Sequence, residues 1–503
     1  MKFSSKYIYP TGLALLALLV FMYVFNAKID FNGDNCYYYI FASSMAAGNG
    51  YVDIWGSPSA LFPPGYPLLM TPLRFFTDSV VAQKVLNLLF LFAGVMLLYA
   101  ALLREKMSCA LAFVVCAAVL VTPHILEFST MMMSEPSCIL FIILTIYAYT
   151  RLPEGGAVWR SPWLYVMLFA AAYAFYIRTQ AVVLVGAVVL ACLVAKRFKV
   201  AAVVAVTSPL AYLPWVLRNI FLGVGQSRYM SQIDFSNVWG NLKMLVVQAI
   251  PESTIPFWDV NYAMAPTKFL VGLSLVTLAV VVYGLWQLNR LRVLLIAFVV
   301  GNFAIISIMN TPSQYRYLVI VLPVITLGFL MGLWHLCNKL SLRLVKRAFS
   351  PFILLLLFVP AICAKENTMK HSVAGLHYLA RSVYPPHVNN YLNLGDALAK
   401  KSAGATVAAR KPELLYVKSG LKALRLREDV DDVGILNYMV DKKVDYLLLE
   451  NLGFKFTYER LHPLVERYDP FFEMEMYTQE PVNVLFKFNS SLAERWLRYK
   501  GYR

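Results

Sequence analysis

The stretch "GDNCYYYIFASSMAAGNGY", residues 33–51, directly follows the first long apolar run of the chain. It sets a carboxylate, Asp34, just past that run, ahead of three tyrosines and a pair of glycines. From Asn35 to Ala47 the spacing puts Tyr37, Ile40, Phe41, Ser44 and Met45 on one helical face. This predicts a helix lying in a membrane interface, where tyrosine is favoured. Gly48 and Gly50 end it, as glycine does past a helix C-terminus. "FPPGYPLLM" (62–70) then reads as a rigid turn back into the bilayer, with Pro64 and Tyr66 at its centre. Such a helix would hold Asp34 near headgroup depth. The plain alternative is a solvated loop acid, which is how Asp30 and Asp53 read.

Composition makes the preceding run a membrane span. The 503 residues are 59% hydrophobic and 15% charged, with a mean hydropathy of +0.61. A soluble chain of this length could not hide that much apolar surface. Crossing the hydrocarbon takes about 20 apolar residues in a helix. Eleven such stretches lie near 8–25, 80–102, 108–122, 136–150, 162–177, 180–195, 200–217, 269–288, 293–309, 317–336 and 350–364. The first follows Lys2 and Lys6, but its apolar core is longer than that of a cleaved signal peptide and no A-x-A site follows, so it reads as an uncleaved anchor.

Charge sets the orientation. With the N-terminus cytoplasmic, the inner segments carry 15 Lys/Arg against 2 Asp/Glu, and the outer loops 8 against 9. That is a strong positive-inside bias. The net charge of +17 is therefore topogenic and not a nucleic-acid footprint. Eleven spans put the C-terminus outside. The two long loops, 26–79 and 218–268, are both outside, so the outer face is the working face.

Two regions follow. Residues 1–364 are the transmembrane module. Residues 365–503 are polar and read as a small extracytoplasmic α/β domain entered through "YPPHVNN" (384–390). In it "ATVAAR" (405–410), "VDYLLLE" (444–450) and "VLFKF" (484–488) are strand-like, while "DDVGILNYMVDKK" (431–443) has helical periodicity.

Few residues can carry chemistry. "SEPSCIL" (134–140) opens the fourth span, with Ser134 suited to an N-cap and Glu135 in the first turn. Glu135 is explained by capping and by a site equally well; Glu127 is a weaker candidate. Arg178 in "YIRTQ", Arg218 in "PWVLRN" and Arg316 in "QYRYL" each sit at the outer end of a span, against the positive-inside trend. One such arginine could snorkel. Three at one depth suggest a group that receives an anion, since guanidinium binds phosphate through a bidentate fork. The seven cysteines and six histidines show no ligand spacing, so the sequence offers no metal site of its own.

These motifs together resemble the GT-C superfamily of membrane glycosyltransferases. The acid after the first span, Y…A…G-x-GY with "PPGYP", "SEP", "PWVLRN" and "YRYLVIVLP" (315–323) carry the resemblance, in the style of bacterial protein O-mannosyltransferases and the lipid A aminoarabinose transferase. It covers most of the chain. The resemblance implies a multi-pass protein of the bacterial plasma membrane that takes a sugar from a polyprenyl-phosphate donor and passes it to a glycan, lipid or protein acceptor outside. It implies Asp34 as general base and Glu135 as second acidic group. Arg178, Arg218 and Arg316 would serve at the donor phosphate, and Tyr37, Tyr38, Pro64 and Tyr66 in the substrate loop. Many relatives have two adjacent acids in that loop; here Asn35 follows Asp34. Relatives differ in needing a divalent metal, so no cofactor is fixed. The rival class is a lipid-linked glycan flippase, which should show charges at mid-membrane and two similar halves. The sequence shows few of the former and none of the latter.

Overall fold

The computed structural model describes residues 5–30, 33–153, 156–225, 232–251, 266–310, 314–339, 351–358 and 384–503. Ten helices run through the first half: α1 Ser5–Val24, α2 Gly33–Ala46, α3 Gly65–Arg74, α4 Val80–Arg104, α5 Cys109–Val121, α6 Pro123–Ser129, α7 Glu135–Arg151, α8 Pro162–Ile177, α9 Val182–Val194 and α10 Phe198–Phe221. Later come Thr267–Trp286, Arg292–Ser307, Gln314–Leu318 and Leu322–Lys339. Local chemistry starts them where expected. The Ser79 and Ser108 hydroxyls accept from the N–H groups of Ala82 and Leu111, and Pro162 occupies the first turn of α8.

Each apolar stretch up to 317–336 coincides with a helix. The last, 350–364, begins as the 3₁₀ segment Pro351–Phe358, and its remainder lies outside the described residues. Among the described residues, four helices are by themselves long and apolar enough to cross a membrane, or five if the pair α5 and α6, bent by 58°, is one span. Others, including α8 and Arg292–Ser307, are apolar but shorter. Eleven spans thus remain an expectation from sequence.

The chain divides into two compact units, Met1–Asn26 with Pro58–Leu376 and Ala27–Ser57 with His377–Arg503. In the helical unit α4 packs along α7, α7 along α8, and α9 against α10 and Arg292–Ser307. Thr267–Trp286 packs along Leu322–Lys339. That crossing is made by glycines: a Cβ on Gly284 would strike the Gly328 carbonyl, and one on Gly328 would stand 2.8 Å from the Val281 carbonyl oxygen. Small residues let apolar helices meet backbone to backbone where hydrophobicity alone gives no drive.

The second unit is built on a five-stranded sheet in the order β2-β1-β3-β5-β4. Its strands are β1 Thr406–Ala408, β2 Lys422–Leu424, β3 Tyr446–Leu449, β4 Phe472–Tyr477 and β5 Val484–Phe488. β1 is parallel to β2 and β3; β5 is antiparallel to β3 and β4. The parallel part is wound through Pro412–Ser419 and Asp432–Asp441, as crossovers require. Asp431 caps the latter helix by accepting from Gly434 N–H at 2.8 Å, and Leu436 and Met439 enter a core with Leu447, Phe472 and Phe488. The strand-like and helical stretches read from the sequence here are the ones formed. Helix α2 belongs to this unit and packs against Pro412–Ser419.

Gly284→Val should lower stability by about 1–3 kcal/mol through overpacking, whereas Gly272→Val, on the same helix with open space around it, should change little. Thermal unfolding of the two variants in detergent checks this.

Candidate functional site

Glu135 opens α7 and has no exposed surface. The loop before it is held from α4, whose Asn87 amide donates to the Met131 and Met133 carbonyls at 2.6 and 2.9 Å. Ser134 occupies the N-cap position, but its hydroxyl makes no capping bond. It accepts instead from Arg178 Nη1 at 3.0 Å. Arg178 sits where the chain leaves α8 in extended conformation, which turns its side chain away from the helix path. The same Nη1 donates to Glu135 Oε1 at 2.7 Å. Arg316, on the short helix Gln314–Leu318, donates from Nε to that oxygen at 3.0 Å. Glu135 Oε2 accepts no hydrogen bond among the described residues.

This arrangement is a carboxylate between two guanidinium groups. Burying any of the three alone would be prohibitive, and mutual pairing makes it tolerable. The triad keeps one positive charge in excess. Aromatic rings shield it: Arg178 stands 5.7 Å from the Tyr317 ring centroid and Arg316 5.8 Å from that of Phe128. Gln180, two residues past Arg178, donates to Asn302 Oδ1 at 2.7 Å and to the Tyr317 carbonyl at 2.9 Å. That fixes the backbone beside Arg316.

Tyr66 lies close by, buried at the start of α3. Burial first, then the Glu135 carboxylate, push its hydroxyl pKa well up, so it stays protonated. Pro64 directly precedes α3 and is buried too. The "PPGYP" turn needs its glycine because a Cβ on Gly65 would stand 2.6 Å from the Ile177 nitrogen. Tyr173 donates to the Gly65 carbonyl at 3.0 Å. The turn is thereby pressed against the end of α8, next to Arg178.

Arg178, Gln180, Asn219 and Tyr317 supply the polar lining of a cavity of about 580 Å³. Its other walls include Tyr212, Trp215, Ile220, Ile308 and Met309. The cavity is thus mostly apolar with a cationic contribution from the triad. Arg218 does not join the triad. Its Nη1 donates to the Ser59 carbonyl and to Asn219 Oδ1, each at 2.8 Å, and its guanidinium lies 4.8 Å from the Trp215 ring.

Asp34, Tyr37 and Tyr38 belong to the other unit. Asp34 lies in the first turn of α2, where an anion is favoured by the helix dipole. Asn35 is fully buried and donates from Nδ2 to the Asp30 carbonyl at 3.0 Å. A carboxylate could not make that bond, which accounts for an amide beside Asp34. Of the face Tyr37, Ile40, Phe41, Ser44 and Met45 expected at a membrane interface, Ile40 and Phe41 are buried, and so are Tyr38 and Tyr39 off it, because α2 packs on Pro412–Ser419. Gly48 and Gly50, both at φ +78°, end it as expected.

Sequence reading passed over several polar groups inside apolar helices. Asn87 is one. Lys84 is another, fully buried in α4 with Nζ donating to Asn26 Oδ1 at 2.8 Å. A polar side chain within an apolar run was the available signal. Among the described residues no group of three or more His, Cys, Asp or Glu side chains is placed to hold a metal.

The fold is shared along almost its full length with solved structures. ArnT from Cupriavidus metallidurans in the apo state matches with a TM-score of 0.63 at 12% identity, covering 97% of this chain and 99% of that one. The same protein bound to undecaprenyl phosphate gives 0.58 at 11% identity, over 95% and 97%. The oligosaccharyltransferase AglB from Archaeoglobus fulgidus, in complex with an inhibitory peptide and a dolichol-phosphate, gives 0.54 at 12% identity, over 88% and 69%. No family model and no curated protein sequence matches the chain.

Glu135→Gln should cost about 3–5 kcal/mol, because it takes the anion from the buried Arg178 and the partly buried Arg316. Glu135→Gln combined with Arg178→Gln should lose clearly less than the sum of the two single variants. A double-mutant cycle on thermal stability measures that coupling.

Proposed function

We propose that the protein is a glycosyltransferase that moves a sugar from a polyprenyl-phosphate donor to an acceptor hydroxyl at the outer face of a bacterial plasma membrane. The observation that carries this reading is the apolar cavity lined in part by Arg178, whose guanidinium is held with that of Arg316 on the buried Glu135 carboxylate. A long isoprenoid tail needs apolar walls, and its phosphate needs preorganised cations. The solved neighbours hold undecaprenyl phosphate and dolichol-phosphate, which supports the same ligand class here. A glycan, a lipid or a protein supplies the acceptor.

The reaction is a single displacement. The acceptor oxygen attacks the anomeric carbon, the bond from that carbon to the phosphate oxygen breaks, and the polyprenyl phosphate leaves with the electron pair. Asp34 takes the acceptor proton as general base, for which it must come within about 3 Å of that hydroxyl. Charge grows on the leaving phosphate, so fixed guanidinium groups favour the transition state most strongly in a water-poor site. Arg178 and Arg316 fill this role. Glu135 holds both at one oxygen and so sets their direction. Arg218 serves at the donor phosphate in this reading, and Tyr37, Tyr38, Pro64 and Tyr66 are its substrate-loop residues. One displacement gives inversion; a retaining glycosidase would need two carboxylates flanking the bond.

Purified protein in nanodiscs, given labelled undecaprenyl-phosphate hexose and a membrane extract as acceptor, should form a new labelled glycoside. Asp34→Asn should slow this by about 100-fold or more with an unchanged unfolding profile. Near-normal activity in that variant would remove Asp34 as base. Arg316→Ala and Arg178→Ala should cost about 100-fold each in kcat/KM for the donor. Label that crosses the bilayer with no new glycosidic bond would identify a flippase instead.

A further inference from the structure

The C-terminal sheet carries more than a fold. Between β1 and β2 the chain runs through Lys411 into the helix Pro412–Ser419, which packs against α2. Glu413 is buried, and its Oε2 has no hydrogen-bond partner among the described residues. It lies against the first residue of α2: a Cβ on Gly33 would run into Glu413 Oε1. Asp34 is the next residue. The start of α2 is therefore seated on a carboxylate from the sheet domain, which a side chain at Gly33 would have to displace.

Lys411 is braced from the same side. The buried Tyr391 hydroxyl donates to its carbonyl at 3.0 Å and accepts from its N–H at 3.3 Å. The Lys411 ammonium lies in the field of Glu413, Arg425, Cys36 and Asp34. Cys36, with no exposed surface, feels Glu413, Asp30, Lys411 and Asp34 at once. Three carboxylates so close repel one another unless cations stand among them. Lys411, from the sheet domain, is such a cation.

We propose that Glu413 and Lys411 are positioning residues of the transfer reaction: they hold the first turn of α2, and with it Asp34, in its working place. This rests on the reading of Asp34 as the base. The domain that follows the membrane helices is then a structural half of the catalytic loop, because α2 has its packing partner there.

Two readouts test this on the full-length protein in nanodiscs. The first is alkylation of Cys36 by N-ethylmaleimide, quantified on its peptide by mass spectrometry. In the wild type it should be slow; in Glu413→Ala and Lys411→Ala it should rise severalfold as α2 leaves its seat. The second is transfer from labelled undecaprenyl-phosphate hexose. Turnover should fall by about 100-fold, as misplacing a reacting group by an ångström does, with an unchanged KM for the donor. Lys411→Arg keeps the cation and should restore both. Unchanged Cys36 reactivity in both alanine variants overturns the proposal, and so does raised reactivity with wild-type turnover. A wild type that transfers no sugar fails the transferase reading alone, and Cys36 reactivity, which needs no transfer, still decides the seating of α2.

Discussion

A carboxylate without solvent, Glu135, holds guanidinium groups from two distant points of the chain on one of its oxygens. Much of the helical unit's architecture around it can be derived from that constraint. Arg178 must leave α8 in extended conformation to reach it, so α8 ends there. Gln180 must then fix the segment bearing Arg316, which ties α9 to Asn302 and Tyr317. The loop ahead of Glu135 must be held against α4, which Asn87 does from a face that also buries Gln83 and Lys84. Each tie is a polar group buried where an unmade bond is expensive, so the arrangement is all-or-none.

The same economy explains why the apolar cavity lies where it does. A cation kept at the edge of an apolar space is costly unless an anion stands behind it. Glu135 is that anion, holding Arg178 and Arg316 on one oxygen. Arg218 plays a different part: it spends its bonds on Ser59 and Asn219 and stacks on Trp215, shaping the cavity wall.

The second unit shows a comparable logic with different means. Helix α2 buries tyrosines on more than one side, which an isolated interfacial helix could not do. Its surroundings come from a sheet formed more than three hundred residues later. Asn35 and Gly33 are the residues that permit it, one by donating to the Asp30 carbonyl and one by leaving room for Glu413.

The sequence alone determined the class of fold. Apolar runs of span length are dictated by the hydrocarbon, and charge bias by topology, so neither needs tertiary information. It also determined three of the five strands and the helix Asp432–Asp441 of the sheet domain, and the end of α2 at Gly48, because period and glycine chemistry are local. It marked Asp34, Glu135 and the three arginines as out of place. Only the tertiary structure decided which of them belong together. Glu135, Arg178 and Arg316 meet, Arg218 does not, and Lys84 and Asn87 become buried ties. The physical reason is that an ion pair across more than forty or a hundred and eighty residues leaves no periodicity in the chain. It exists only once helix packing has removed water from both partners.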